Sequence, residues 1–424
     1  MNILNKFIIF IVVLFICQPL WADENLTWKD CLQQASLNHP DLLSAKEIIR
    51  QFQDTKIITA STLWPQASSN LSVTQLKSSS ASDASSKTTN YAYGVSGSQL
   101  LFDGFKTINN VKASQENVKA SQWGFQFVSS QVRLRLRTAF INLLEAQARI
   151  QLTKDIYEIR KQSVDLITKY YNSGIENSGA LLTAQANVSE AQFEIDQAQR
   201  ALIVTQRDLL KEIGARTIVP VQAQGNFDIS AKYQQKPDFE NLVDDNPQLL
   251  QLIAQTNAAF FNVRSSRGNL WPSISLVGGV DKSDNHWPPK ADSTNVGVAL
   301  TWPLLEGGSR LAQLDQTNSF YRSLEDQQQS LKDSIALSLE QAWSNLQDAI
   351  QQVDVEKKFL DANQERSRIA SQQYSTGLLA FNEWIIIEDN LVSAKKTFLN
   401  TQANALSAEA NWISAQGRTL EYAN

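Results

Sequence analysis

The chain is poor in the side chains that hold metals and carry out nucleophilic catalysis. Its 424 residues include two His and two Cys. His39 and His286 lie far apart, so a structural zinc site, an iron–sulfur cluster or a Cys/His dyad has almost no raw material. No catalytic group, metal or cofactor is expected. A basic excess is missing too: 38 Lys and Arg stand against 43 Asp and Glu, a net charge of −5. That balance gives no electrostatic footprint for a phosphate backbone, so nucleic acid is not an expected partner. Long apolar runs are also absent. The uncharged stretch from Phe7 to Ile16, behind Lys6, is too short to span a bilayer as a helix. With Leu20-Trp21-Ala22 ahead of Asp23-Glu24 it reads as a secretory signal peptide over residues 1–22. Cys17 follows Ile16 instead of a small residue, which argues against lipidation, and cleavage after Ala22 leaves Cys31 as the one thiol. No intrachain disulfide can then form, and Cys31 is expected as a small buried helix residue.

Apolar material is plentiful, with 42% hydrophobic residues including ten Trp, nine Tyr and eighteen Phe, which excludes global disorder. A repeat of about half the chain organises it. Asn38-His39-Pro40-Asp41-Leu42-Leu43 recurs as Asp245-Asn246-Pro247-Gln248-Leu249-Leu250, and Leu63-Trp64-Pro65 as Leu270-Trp271-Pro272, both at an offset of 207. Phe102-Asp103-Gly104 then matches Leu305-Glu306-Gly307, and Tyr171-Asn172-Ser173-Gly174 matches Tyr374-Ser375-Thr376-Gly377, at 203. A loop indel in the first copy accounts for the shift of four, because length changes cost least in loops. The units are expected at 23–214 and 238–424, joined by a linker over 215–237 that carries Pro220, Gly225 and Pro237.

Two hydrophobic periods alternate within each unit. From about Lys106 to Tyr171 there is no Pro, and Val132, Leu136, Ala139, Leu143, Ala146 and Ile150 follow coiled-coil spacing. The same seam returns 203 residues later as Ile335, Leu339, Ala342, Leu346, Ala349 and Val353. Helices of roughly 65 residues would reach about 100 Å. Gly turns at 174 and 377 start return helices running to about Gly214 and Gly417. Arg133, Arg135 and Arg137 are expected to spread over a solvated helix surface. Ahead of each long helix, period-2 stretches predict a β-hairpin, about 66–101 with a polar loop from Ser78 to Lys87, and about 273–303. Strands of about ten residues suit a bilayer crossing, and Trp64, Tyr91, Tyr93, Trp271 and Trp302 suit its interfaces. Gly94-Val95-Ser96-Gly97 falls inside a strand pattern and so is not a nucleophile elbow. Four strands cannot close a barrel alone, and an open sheet edge is not tolerated in lipid, so the chain must oligomerise if the hairpins are in a membrane.

In the order and spacing of these motifs the mature chain resembles the TolC-type outer-membrane efflux proteins. The resemblance implies a mainly α fold with a membrane β-barrel portion: duplicated long helical hairpins and four strands per chain. A homotrimer would form a twelve-stranded β-barrel, embedded in outer-membrane lipid, and an α-helical barrel reaching into the periplasm. It also implies a periplasmic adaptor and an inner-membrane transporter as partners. The implied function is an exit duct for small-molecule efflux or, alternatively, for type I protein secretion; a non-conducting periplasmic coiled coil is the third reading. By the same resemblance the helical tips, Ser173-Gly174-Ile175 and Thr376-Gly377-Leu378, are adaptor contacts. The pore entrance would carry two acidic positions three apart; here Glu383 stands at the first and Ile386 at the second. Gly179-Ala180 and Leu379 replace the polar and charged partners of the family's inter-helix locks. At the strand exits, Asp103 and Glu306 are expected to cap the long helices while Gly104 and Gly307 permit the bend. Val at position 307 is accordingly expected to lower trimer yield.

Overall fold

The computed structural model describes residues 24–422 apart from 81–82, 218, 230–232 and 234–235. The expected signal peptide and Cys17 lie outside the described residues. The chain runs β1 (Glu24–Thr27), α1 (Trp28–Asn38), α2 (Pro40–Ser61), β2 (Gln66–Ser80), β3 (Asp83–Phe102), α3 (Lys106–Asn172) and α4 (Ser178–Glu212). It continues through β4 (Val221–Gln224), α5 (Phe239–Asp244), α6 (Pro247–Gly268), β5 (Ser273–Asp284), β6 (Ala291–Thr301), α7 (Ser309–Ser375) and α8 (Phe381–Ala415). The long helices α3 and α7 have 67 residues each and the return helices α4 and α8 have 35 each. At 1.5 Å per residue, α3 and α7 are about 100 Å long.

The repeated Pro motifs are helix starts. His39 caps α2 by accepting from Asp41 N at 3.1 Å, and Asn246 caps α6 by accepting from Gln248 N at 2.9 Å. In both helices the following Pro occupies the first turn, where its missing N–H leaves nothing unsatisfied. Along the upper half of the long helices the packing order is α2–α3–α6–α7, and along the lower half it is α4–α3–α8–α7. One chain therefore contributes a wall four helices wide. The seam residues Val132, Leu136, Ala139 and Leu143 are buried, as are Leu339 and Leu346 of the second copy. Cys31 is fully buried against this core, and burial pushes its thiol up to about 12.

Several expectations need correction. The linker contains β4, which pairs in parallel with β1 and ties the amino-terminal segment to the centre of the chain. The first hairpin is longer than ten residues per strand, with β2 at 15 and β3 at 20. Pairing continues through much of the Ser-rich stretch expected as a loop, including Lys77 with Lys87. Finally, the three arginines do not share a solvated face. Arg133 and Arg137, four apart, fall on one side beneath α1, where their guanidiniums lie 5.7 and 4.9 Å from the Trp28 ring. Arg133 also donates to the Tyr422 carbonyl at 3.3 Å. Only Arg135 is exposed, between Asp41 and Glu212.

Candidate channel wall and mouth

The four barrel strands form one antiparallel sheet in the order β2–β3–β5–β6. Register fixes which residues share a face. Leu71 pairs with Tyr93, Val73 with Tyr91, Val95 with Val280, Leu276 with Val298 and Ile274 with Leu300, so these residues form one apolar surface across all four strands. The alternate positions place Ser68, Asn70, Ser96, Gly94, Asp281, Ser275, Asn295 and Ser293 on the other face. Val296, at the centre of β6 on the apolar side, is 80% exposed. A sheet with an oily side, a hydroxyl- and amide-lined side and two unpaired edges is a segment of a membrane barrel wall. Exposed apolar side chains also line the outer helices of the row: Ile57 and Ile58 on α2, Phe193 and Val204 on α4, and Phe320, Leu337 and Phe359 on α7.

The strand exits differ between copies. Asp103 Oδ2 accepts from Thr107 N at 2.8 Å and from Thr107 Oγ1 at 2.5 Å, so this carboxylate does cap α3, from two residues ahead of the N-cap Phe105. Glu306 does not cap α7. It pairs instead with Arg310, with Nε at 2.6 Å, and that hydrogen bond holds its carboxyl below the usual range. Arg310 is present only in the second copy, where it competes for the acid; Thr107 takes that place in the first. Gly104 and Gly307 both adopt left-handed backbone, φ +66° and +61°.

Both helical tips close in the same way. Gly174 has φ +75°, and Ile175 N bonds to the Tyr170 carbonyl at 2.8 Å; Gly377 has φ +77°, and Leu378 N bonds to the Gln373 carbonyl at 2.8 Å. These are Schellman closures. The apolar residue after each glycine projects outward, Ile175 being 68% and Leu378 80% exposed. Ser173 and Thr376 are the C-cap residues.

Beneath the tips lies a network that the sequence spacing did not reveal. The Tyr374 ring stacks on Trp384 at 4.5 Å and lies 6.4 Å from Phe381. Its hydroxyl donates to Glu176 Oε1 at 3.2 Å, joining the two copies; burial and the Glu176 charge push the phenol pKa up. Trp384 Nε1 donates to Ser371 Oγ, which with Ser367 Oγ donates to the buried Glu388 carboxylate, at 3.2 and 2.6 Å. Phe381, Trp384 and Glu388 are buried at i, i+3 and i+7, a pattern that could have flagged an inward face of α8. Glu383 and Ile386 lie on the opposite, exposed side of α8, Ile386 at 58%. They share a face with each other but not with the aromatic network.

The outer membrane efflux protein family matches residues 31–215 and 240–418. The chain belongs to that family. Among its relatives, outer membrane efflux protein BepC of Brucella suis is 20% identical over 93% of this chain and 86% of that protein. Alkaline protease secretion protein AprF of Pseudomonas aeruginosa is 22% identical over 59% of this chain and 53% of its own length. A crystal structure of CusC, described in connection with transmembrane channel formation, superposes with a TM-score of 0.81 at 19% identity, covering 92% of this chain and 91% of that one. The protein is an outer-membrane efflux channel with the TolC-type fold, in the outer membrane of a Gram-negative bacterium.

Proposed function

We propose that three copies of the chain close into a passive exit duct, without a catalytic step, that carries cargo from a periplasmic adaptor and inner-membrane pump to the outside. The sheet supports this reading most directly. Four amphipathic strands with two unpaired edges become stable in lipid only when the edges meet other strands, and three chains supply the twelve of the TolC-type barrel. Exposed apolar residues at both ends of the helical row favour the same closure. In this assembly residues 23–214 and 238–424 act as two equivalent halves joined by 215–237. The tips Ser173-Gly174-Ile175 and Thr376-Gly377-Leu378 present Ile175 and Leu378 to the adaptor. Glu383 supplies one acidic ring at the mouth and Ile386 an apolar collar beside it, a constriction of the kind that gates by dewetting. Asp103, Gly104, Glu306 and Gly307 serve the bend between barrel and tunnel. Relatives named for efflux and for protease secretion share the family, so cargo choice is assigned to the pump. Light scattering with the detergent contribution subtracted should give three chains, and planar bilayers should show channels. A folded, strand-rich monomer indifferent to lipid would overturn the proposal.

A further inference from the structure

A basic groove sits at the strand-to-helix junction of the first copy, between α3 and α6. It holds about 310 Å³ and is lined by Gly104, Phe105, Ile108, Asn109, Lys112, Arg264, Arg267, Gly268 and Trp271. Three of these side chains are cationic and none is acidic. Among the described residues, no carboxylate lies within 4 Å of Lys112, Arg264 or Arg267, in a chain whose net charge is −5. Arg310, at the strand-to-helix junction of the second copy, is by contrast committed, being paired with Glu306 and bonded to the Asn269 carbonyl. Ring contacts support the free cations without neutralising them. The Arg264 guanidinium lies 5.4 Å from the Phe260 ring and Lys112 Nζ lies 5.7 Å from Phe261.

Position identifies the ligand class. Phe102 pairs with Ile274 on the apolar side of the sheet, and the Phe105 ring, which lines the groove, meets Phe102 edge-on at 5.7 Å. The groove therefore opens where the lipid-facing surface ends, with the exposed Trp271 two residues ahead of β5. Its walls are α3 and α6, the two middle helices of the upper row, so closure through the outer helices leaves it uncovered. Guanidiniums match phosphate oxygens with a planar fork, and an ammonium adds a point charge. We propose that this groove binds the phosphate of an anionic phospholipid in the periplasmic leaflet, with Trp271 and Phe105 against its glycerol and upper acyl chain. The inference rests on the barrel reading, which places the apolar sheet face in lipid.

Native mass spectrometry of the full-length trimer tests it, with dioleoylphosphatidylglycerol titrated against dioleoylphosphatidylcholine. One surface cation near an anionic headgroup is worth about a fivefold gain in affinity. Wild type should therefore prefer phosphatidylglycerol by at least about tenfold. The variant Lys112→Gln/Arg264→Gln/Arg267→Gln should lose that preference while binding phosphatidylcholine as before. Arg264→Lys/Arg267→Lys, which keeps the charge, should retain most of it. Excess inorganic phosphate should leave the lipid bound; complete displacement would mean a soluble-anion site and overturn the lipid assignment. Equal binding of both lipids by wild type, or an unchanged preference in a trimeric triple variant, would also overturn it. A trimer that conducts but shows no preference refutes the headgroup site and leaves the channel reading intact.

Discussion

Gly104 and Gly307 occupy matching positions and nearly the same left-handed backbone, yet their surroundings predict unequal tolerance. Adding a Cβ in this conformation costs roughly 1–2 kcal/mol at either site. At Gly104 the new atom would stand 2.6 Å from the Gly268 carbonyl oxygen and 2.7 Å from Trp271 Cβ. Neither atom can rotate aside, because one is backbone and the other is fixed to it. Overpacking of this type adds about 1–3 kcal/mol, giving about 2–5 kcal/mol in all for Gly104→Ala. At Gly307 no atom of the described residues beyond its two chain neighbours lies within 4 Å of the new methyl, so Gly307→Ala carries the conformational cost alone. Thermal dissociation of purified trimers in one detergent should then show a loss for Gly104→Ala at least twice that for Gly307→Ala. The ranking shifts emphasis from position 307, singled out by sequence, to position 104. Equal losses would refute the reasoning, and a larger loss at 307 would show that another chain packs over that turn.

The remaining predictions address Glu212, the wall and the mouth. Burial, the strongest influence on Glu212, would raise its pKa, but hydrogen bonds from Lys211 and His39 with the charges of Lys211 and Arg135 outweigh it and lower the pKa below 4.5. A lowered folded pKa stabilises above the unfolded value and is lost as pH falls through the folded one. Glu212→Gln should therefore cost about 1–3 kcal/mol at neutral pH and flatten the acid limb of trimer stability; an unchanged limb would remove Glu212 from the account. On the sheet, Val296→Arg should destabilise the barrel by about 2–4 kcal/mol in refolding titrations, whereas Asn295→Arg should change conductance with little loss of stability. Equal destabilisation would mean the faces are misassigned. At the mouth, Glu383→Gln should reduce cation selectivity and multivalent-cation block in single-channel recordings, and Ile386→Asp should enhance both. Unaltered selectivity in Glu383→Gln would place that carboxylate toward the adaptor or bulk solvent.

The elements with strong periodicity were legible from residues alone. The Pro-free run and the turn glycine located α3 to within about a residue of its ends, and the seam repeated at an offset of 203 fell inside α7, because a 67-residue helix carries its signal many times over. Strand ends were not legible where Ser and Thr dominate. The stretch from Ser78 to Lys87 is Ser-rich with no large apolar residue, so no period-2 contrast distinguishes strand from loop, although Ser78 pairs with Ser86 and Ser80 with Asp83. The four-residue strands β1 and β4 are too short for any period to register. Arg133 and Arg137 were misread because charge suggested solvent; beneath α1 the guanidiniums lie over the Trp28 ring, with the Tyr422 carbonyl accepting from Arg133 and Glu409 lying 3.8 Å from Arg137.

The mouth shows a further limit on reading function from spacing. Helical geometry turns successive residues of α8 by about 100°, so Glu383 and Trp384 meet different surroundings although they are adjacent in sequence. Glu383 remains exposed, while Trp384 and Glu388 turn inward to the serines of α7. Position along one helix can establish that division, but it cannot identify a partner contributed by another hairpin. The Tyr374 hydroxyl meets Glu176 across 198 residues of sequence, the first copy supplying the acceptor and the second the donor. Where the resemblance leads one to expect a lock at Ala180 and Leu379, neither side chain can form an ion pair; among the described residues the links between the copies include the Arg160–Asp389 ion pair further along the helices, the Tyr170 hydroxyl on the Ser375 carbonyl at 2.9 Å and, at the tips, the neutral Tyr374 phenol on the Glu176 carboxylate. Such a bond holds one geometry through direction as well as charge, and added salt screens it less than an exposed ion pair. The Tyr374–Glu176 contact should accordingly be less sensitive to ionic strength than an exposed ion pair.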